Sequence, residues 1–153
     1  MTVKRSAMDY DSQNPFARIL RGELPSVKVY EDEHTLAIMD IMPQAEGHVL
    51  VLPKEHAAEL FALSDDSAAA CIRTTKKVAA AVKTALQVPG IMVAQFNGAA
   101  AGQTVPHVHF HIVPRQQAAP LKPHASAQAD IGELQALAAR IVAALDTGTT
   151  DGS

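Results

Sequence analysis

The chain has 153 residues, 13 Lys and Arg against 16 Asp and Glu, and a net charge of −3 with histidine neutral. That is one domain's length, at which folding buries roughly 70% of the surface the unfolded chain exposes, so a core forms without disulfides or structural metals. Hydrophobic residues at 48% and charged residues at 19% exclude wholesale disorder, and the absence of a Lys/Arg stripe excludes a partner bound through a long phosphate backbone.

The N-terminal stretch MTVKRSAMDYDSQNP has basic residues but no apolar run behind them, so it does not read as a signal peptide, and residues 1–13 are expected to be loose. No segment approaches the roughly 18 apolar residues of a membrane span. Cys71 is the single cysteine, so no intrachain disulfide forms, and a cytoplasmic protein is expected.

Asn14-Pro15 reads as a helix cap followed by proline at the first helical position, predicting a short helix to about Arg21 that stops at Gly22. Val27 to Glu31, Thr35 to Asp40 and His48 to Leu52 are β-rich runs separated by turn residues, predicting an antiparallel meander. Ser64-Asp-Asp opens an amphipathic helix with Cys71, Ile72, Thr75, Val78, Ala79, Val82 and Leu86 on one face and Arg73, Lys76, Lys77 and Lys83 opposite. Pro89-Gly90 ends it, and Ile91 to Phe96 reads as the next strand. A small-residue loop, Asn97 to Thr104, leads into a final strand over Pro106 to Pro114. Gln116 to Ala129 reads as an irregular linker, and Leu134, Leu137, Ala138, Ile141 and Leu145 give a terminal helix from about Ile131 to Leu145 that needs an apolar surface.

Three of the seven histidines fall in His107-Val-His109-Phe-His111. In a strand these three point to one side, roughly 6.5 to 7 Å apart, while Val108, Phe110 and Ile112 point into the core. A lone histidine such as His34 or His124 is an ordinary polar surface residue, but three in strict alternation beside a glycine-containing loop need a chemical reason. One is metal ligation, with His48 or Asp40 completing the set, although HExxH and CxxC motifs are both missing. The other is nucleophilic catalysis: a neutral imidazole attacks phosphorus, provided a hydrogen bond at its other nitrogen fixes the tautomer. Neighbouring histidines and loop groups would then hold the phosphoryl oxygens.

Gly102-Gln-Thr-Val-Pro-His107-Val-His109-Phe-His111-Ile-Val resembles the signature of the histidine triad (HIT) family. Phe16-Ala-Arg-Ile19-Leu-Arg-Gly-Glu-Leu-Pro25, Leu36-Ala-Ile-Met-Asp40-Ile-Met-Pro-Gln-Ala45 and Gly47-His48-Val-Leu-Val-Leu-Pro-Lys-Glu-His56 resemble its earlier blocks in order. The likeness runs from about Asn14 to Arg115. It implies an α+β fold with a five-stranded antiparallel sheet and a long covering helix, two copies pairing about a two-fold axis into a ten-stranded sheet. The division expected is residues 1–13 as a loose N-terminus, 14–115 as the HIT domain, 116–129 as linker, 130–146 as C-terminal helix and 147–153 as a flexible tail.

The resemblance also implies a nucleotide hydrolase or transferase working through a nucleotidyl-histidine. On it His109 is the nucleophile, His111 bonds the phosphate or leaving group, and His107 and His48 orient the pair. Asp40 takes the ribose hydroxyls; Phe16, Ile19, Met39 and Ile41 line a purine slot; Gly102, Gln103 and Thr104 meet the α-phosphate side. Competing readings make Asp40 a turn residue, Phe16 and Ile19 plain core, and His48 structural.

Two departures from the pattern stand out. Where many bacterial relatives carry a zinc-binding CxxC this chain has Asn14-Pro-Phe-Ala17, so no structural zinc is expected. The family's phosphate-side asparagine commonly precedes the loop glycine by two places, where this chain has Phe96, so Asn97, one place later, is the candidate for that nucleotide-binding role. The Trp-Pro-Pro tail of members acting on amine phosphoramidates of AMP is missing, and the flanks Gly102 to Val105 and Pro114-Arg115 lean toward dinucleoside polyphosphates. Galactose-1-phosphate uridylyltransferase relatives are longer chains.

The expectation is therefore a hydrolase cleaving purine nucleotide conjugates at the α-phosphate, with no required cofactor, Mg²⁺ entering only with a polyphosphate substrate. Its partners are a small purine nucleotide and a second copy of the chain, with no long nucleic acid and no membrane. The alternatives are a non-catalytic nucleotide-binding module and a His-ligated metalloenzyme.

Overall fold

Asn14 opens the first element as its neighbours predict. Its Oδ1 accepts the Ala17 amide at 2.9 Å, and Pro15 sits where a missing N–H costs nothing, so α1 runs Pro15–Leu20. The structure, a computed structural model, describes residues 9–117, 120–121 and 127–150. His124 and much of the expected linker lie outside the described residues.

The meander forms as β1 (Lys28–Glu31), β2 (Thr35–Met39) and β3 (Val49–Pro53). Asp32 makes the first turn, its Oδ1 accepting from the His34 and Thr35 amides at 2.9 and 2.8 Å and from the Thr35 hydroxyl at 3.0 Å. With β4 (Gly90–Gln95) and β5 (Phe110–Arg115) the strands make one antiparallel sheet in the order β1-β2-β3-β5-β4. The fold is thus α+β with a five-stranded antiparallel sheet.

The long helix α2 (Asp65–Leu86) begins where Ser64 caps the Ser67 amide at 3.1 Å, with Asp65 and Asp66 at the positive end of the helix dipole. It ends at Gln87, which takes a left-handed conformation at φ 52°. Ile72, expected on the buried face, is 53% exposed instead. Successive residues turn by about 100°, so the inward stripe is Cys71, Thr74, Thr75, Val78 and Val82 and Ile72 falls beside it. Thr74 bonds the Thr35 hydroxyl at 2.8 Å and ties the helix to β2.

The terminal helix α3 (Ile131–Thr150) continues beyond the expected Leu145. Its Leu134, Leu137, Ile141 and Leu145 join α2 and one face of the sheet, supplied by Ala37, Met39, Val49, Val51, Phe110 and Ile112, in a single core. Arg140 reaches across to donate to the Ala85 carbonyl near the end of α2 at 2.8 Å. The other face carries a smaller cluster of Leu36, Ile38, Leu50 and Leu52 under Phe16 of α1. Helices thus cover one face fully and the other only in part, leaving a recess beside α1. Among the described residues no helix is long and apolar enough to cross a membrane.

Candidate active site

Strand alternation delivers most of the polar residues to the recess. Leu50 stands opposite both Ile38 on β2 and His111 on β5, so these three share the face away from α2. Asp40 and His48 lie just beyond the ends of β2 and β3, where the Asp40 amide still donates to the His48 carbonyl at 2.9 Å. Gly47 makes the tight approach before His48. Its φ is +91°, and a Cβ there would run into the Leu86 side chain and come within 3.2 Å of Pro114.

The final strand is shorter than its alternation predicts. Pairing starts at Phe110, opposite Val51 of β3 and Gln95, the last residue of β4, and before it the chain folds back at His107, whose amide donates to the Val105 carbonyl at 2.9 Å. His107 and His109 therefore precede the ladder. The Val108 amide donates to the Ala57 carbonyl at 2.9 Å, which keeps the backbone extended and the alternation intact. Val108, Phe110 and Ile112 enter the large core, and His107, His109 and His111 are all buried on the opposite side.

The tautomers follow from partners whose roles cannot change. A backbone amide only donates and a carbonyl only accepts. The Gln44 amide donates to His48 Nδ1 at 3.1 Å, so the His48 proton sits on Nε2 and is given to His111 Nδ1 at 3.0 Å. Neutral His111 in turn carries its proton on Nε2. His109 Nδ1 donates to the His107 carbonyl at 2.7 Å, leaving the lone pair of that ring on Nε2. His107 Nε2 donates to the Pro53 carbonyl at 2.8 Å, and its Nδ1 accepts from the Tyr10 hydroxyl at 2.7 Å. Two adjacent rings, their centroids 4.9 Å apart, thus have opposite polarity: His109 offers an Nε2 lone pair and His111 an Nε2 proton.

Burial, opposed by the Pro53 carbonyl, pushes the His107 pKa down from 6.5 to about 4, so this ring stays neutral. Phe16 meets His109 edge-on with centroids 4.9 Å apart, and Phe96 packs at 5.2 Å from His111.

The recess is a cavity of about 360 Å³, within the range of small-molecule sites. Phe16, Ile19, Asp40, Ile41, Thr104, His109 and His111 all line it. Met39 also borders it, although its side chain is buried in the core beneath the other face, so β2 turns it away from a purine slot. His48 and His107 stand behind the wall. Three expected phosphate-side groups are engaged elsewhere. Asn97 Oδ1 accepts the Leu60 amide at 2.7 Å and exchanges bonds with Gln95. Gln103 donates to the Ala58 and Val105 carbonyls at 2.7 and 2.9 Å and accepts from the Gly98 amide at 2.6 Å. Gly102 caps the loop's 3₁₀ turn at φ +105°. These three shape the loop that carries Thr104.

Sequence reasoning missed Ile38 and Leu50 as the apolar floor, although they share strand parity with Asp40 and His111. It also missed Tyr10, whose partners His56 and His107 are far away in sequence.

A metal could be sought at Asp40, His48 and His111, which offer ligand atoms within 4.8 Å of one another. The His48 atom facing this group is Nε2, 3.5 Å from Asp40 Oδ2, and the Gln44 amide directs the ring's proton to that same atom. A cation would have to displace that proton and turn Nδ1–H against an N–H, so the donor set fits a metal poorly.

A HIT domain family model matches residues 21–118. The adenosine 5'-monophosphoramidase of Schizosaccharomyces pombe is 45% identical over 100 residues, covering 65% of this chain and 72% of that protein. The crystal structure of a Hit-like protein involved in cell-cycle regulation from Bartonella henselae matches with a TM-score of 0.86 at 45% identity, covering 90% of this chain and 99% of that one. A Zn-bound histidine triad family protein from Mycobacterium smegmatis matches with a TM-score of 0.78 at 33% identity, covering 89% and 95%.

Proposed function

The chain belongs to the HIT family, and on that premise we propose that it hydrolyses conjugates of purine nucleoside 5'-monophosphates at the α-phosphate. The observation that carries the reading is the tautomer of His109, whose Nδ1 proton is held by the His107 carbonyl and whose Nε2 lone pair is thereby set for attack. His109 Nε2 forms a bond to the α-phosphorus as the bond to the leaving group breaks, giving a nucleotidyl-histidine. The His111 proton, maintained by the relay from Gln44 through His48, stabilises a phosphoryl oxygen or the departing atom. Water then attacks the same phosphorus, displaces His109 and releases the nucleotide. Asp40 takes the ribose hydroxyls, and the apolar wall of Phe16 and Ile19 takes the base.

The fission yeast relative's name supports an amine leaving group, while the Gly102 to Val105 flank supports a dinucleoside polyphosphate. A panel of adenosine phosphoramidate and diadenosine polyphosphates separates the two. His109→Ala is expected to remove turnover while the chain stays folded, and wild-type protein quenched during turnover should yield an acid-labile nucleotidyl-histidine. Undiminished turnover in the variant overturns the assignment. The mechanism uses no resident metal, so exhaustive chelation should leave phosphoramidate turnover intact. The same reading includes a two-fold pairing along β4, an edge strand whose Val93 is 49% exposed.

A further inference from the structure

Residues 9–13 carry an organised turn. The amide and side-chain nitrogens of Asn14 both donate to the Asp11 carbonyl, at 3.0 and 2.7 Å, and the Gln13 amide donates to Asp11 Oδ1 at 2.9 Å. Arg21, held by Glu23, grips the Ser12 carbonyl at 2.7 Å. The turn is thus fixed to both ends of α1, and it delivers Tyr10 onto the back of the histidine cluster. The Tyr10 ring stacks on His56 with centroids 4.6 Å apart and planes 12° from parallel, and its hydroxyl donates to His107 Nδ1 at 2.7 Å.

That bond matters because His107 is fully buried. Its Nε2 proton is committed to Pro53, so Nδ1 is an acceptor that water cannot reach and that needs a donor. Burial also raises the Tyr10 pKa, which keeps the phenol protonated as that donor. The His107 ring anchors the backbone at the point where its own carbonyl holds the His109 Nδ1 proton. Tyr10 does not line the cavity.

We propose that Tyr10, presented by the turn that α1 holds, is a positioning residue that locks the His107 ring and through the His107 carbonyl keeps the nucleophilic tautomer of His109. The inference rests on the hydrolase reading for its kinetic consequence, and on geometry alone for its effect on the rings. The N-terminal turn is accordingly part of the catalytic apparatus although it touches no substrate.

The test is Tyr10→Phe, which keeps the stacked ring and removes only the donor. With adenosine phosphoramidate, kcat should fall roughly tenfold, as for one hydrogen bond lost from orientation, while KM stays within about twofold. Long-range ¹H–¹⁵N spectra should show the His107 Nδ1 signal shifting as it loses its donor and the His109 signals shifting with it. Arg21→Ala, which loosens the turn without touching either histidine, should move both readouts in the same direction by less. Unchanged His107 and His109 signals overturn the proposal, and so does a loss expressed only in KM. If wild-type protein turns over no conjugate, the hydrolase reading fails while the ring spectra still decide the role of Tyr10: altered His107 and His109 signals uphold it and unaltered ones end it.

Discussion

Acidification should destabilise this protein through His107. The ring is fully buried and its pKa is held at about 4 against an ordinary 6.5, so the unfolded chain binds the proton more tightly than the folded one. Each tenfold difference in proton affinity is worth about 1.4 kcal/mol, so the neutral buried ring contributes about 3 kcal/mol of stability at neutral pH. That stability is complete above about pH 6.5; about 2 kcal/mol is gone by pH 5, and the remainder by about pH 4. Carboxylates also titrate toward the lower end of this window, so the comparison must be differential. Urea unfolding of wild type and His107→Asn at pH 7.5 and 5.0 provides it, since asparagine keeps hydrogen-bonding groups but takes up no proton. Wild type should lose about 2 kcal/mol more than the variant between the two pH values. Equal losses in the two proteins would refute the argument that burial of this ring governs its protonation.

Two further outcomes follow from packing. Gly47→Ala should destabilise by roughly 2 kcal/mol or more, because it meets both a left-handed backbone and the side chains of Leu86 and Pro114; thermal unfolding measures the loss, and an unchanged melting temperature contradicts the close approach. Burial pushes the Cys71 thiol up to about 12, so a thiol reagent such as DTNB should leave it untouched in the native protein and label it in urea, whereas rapid native labelling would contradict its place in the core.

The parts of this molecule that repeat along the chain were readable from it. Alternation placed the histidines on one face because Val108, Phe110 and Ile112 require the other, and that parity survives although pairing begins only at Phe110. Caps at Asn14 and Ser64 act through amides three residues away, so their helices start where a local reading puts them. What the chain conceals is which of several polar groups wins a given partner. Gln103 looks equipped for a phosphate, but the Ala58 and Val105 carbonyls take both of its side-chain protons and the Gly98 amide holds its oxygen. Tyr10 is more remote still, since its hydroxyl meets a ring 97 positions on, and nothing in a polar N-terminal stretch announces that bond. Met39 shows the limit of motif transfer: it sits beside Asp40 in sequence, but strand parity sends its side chain through the sheet to the opposite core.

The terminal helix separates two ideas of where this protein's working unit ends. The family match stops at residue 118, but Leu134, Leu137, Ile141 and Leu145 belong to the same core as β2, β3 and β5, and the Ala129 amide donates at 2.8 Å to the carbonyl of Ile41, next to Asp40. The segment matched by the family model and the set of residues sharing one core therefore have different boundaries. Excising residues 21–118 alone would bare an apolar face and release the loop after β2, so the pocket depends on sequence that lies beyond the matched segment.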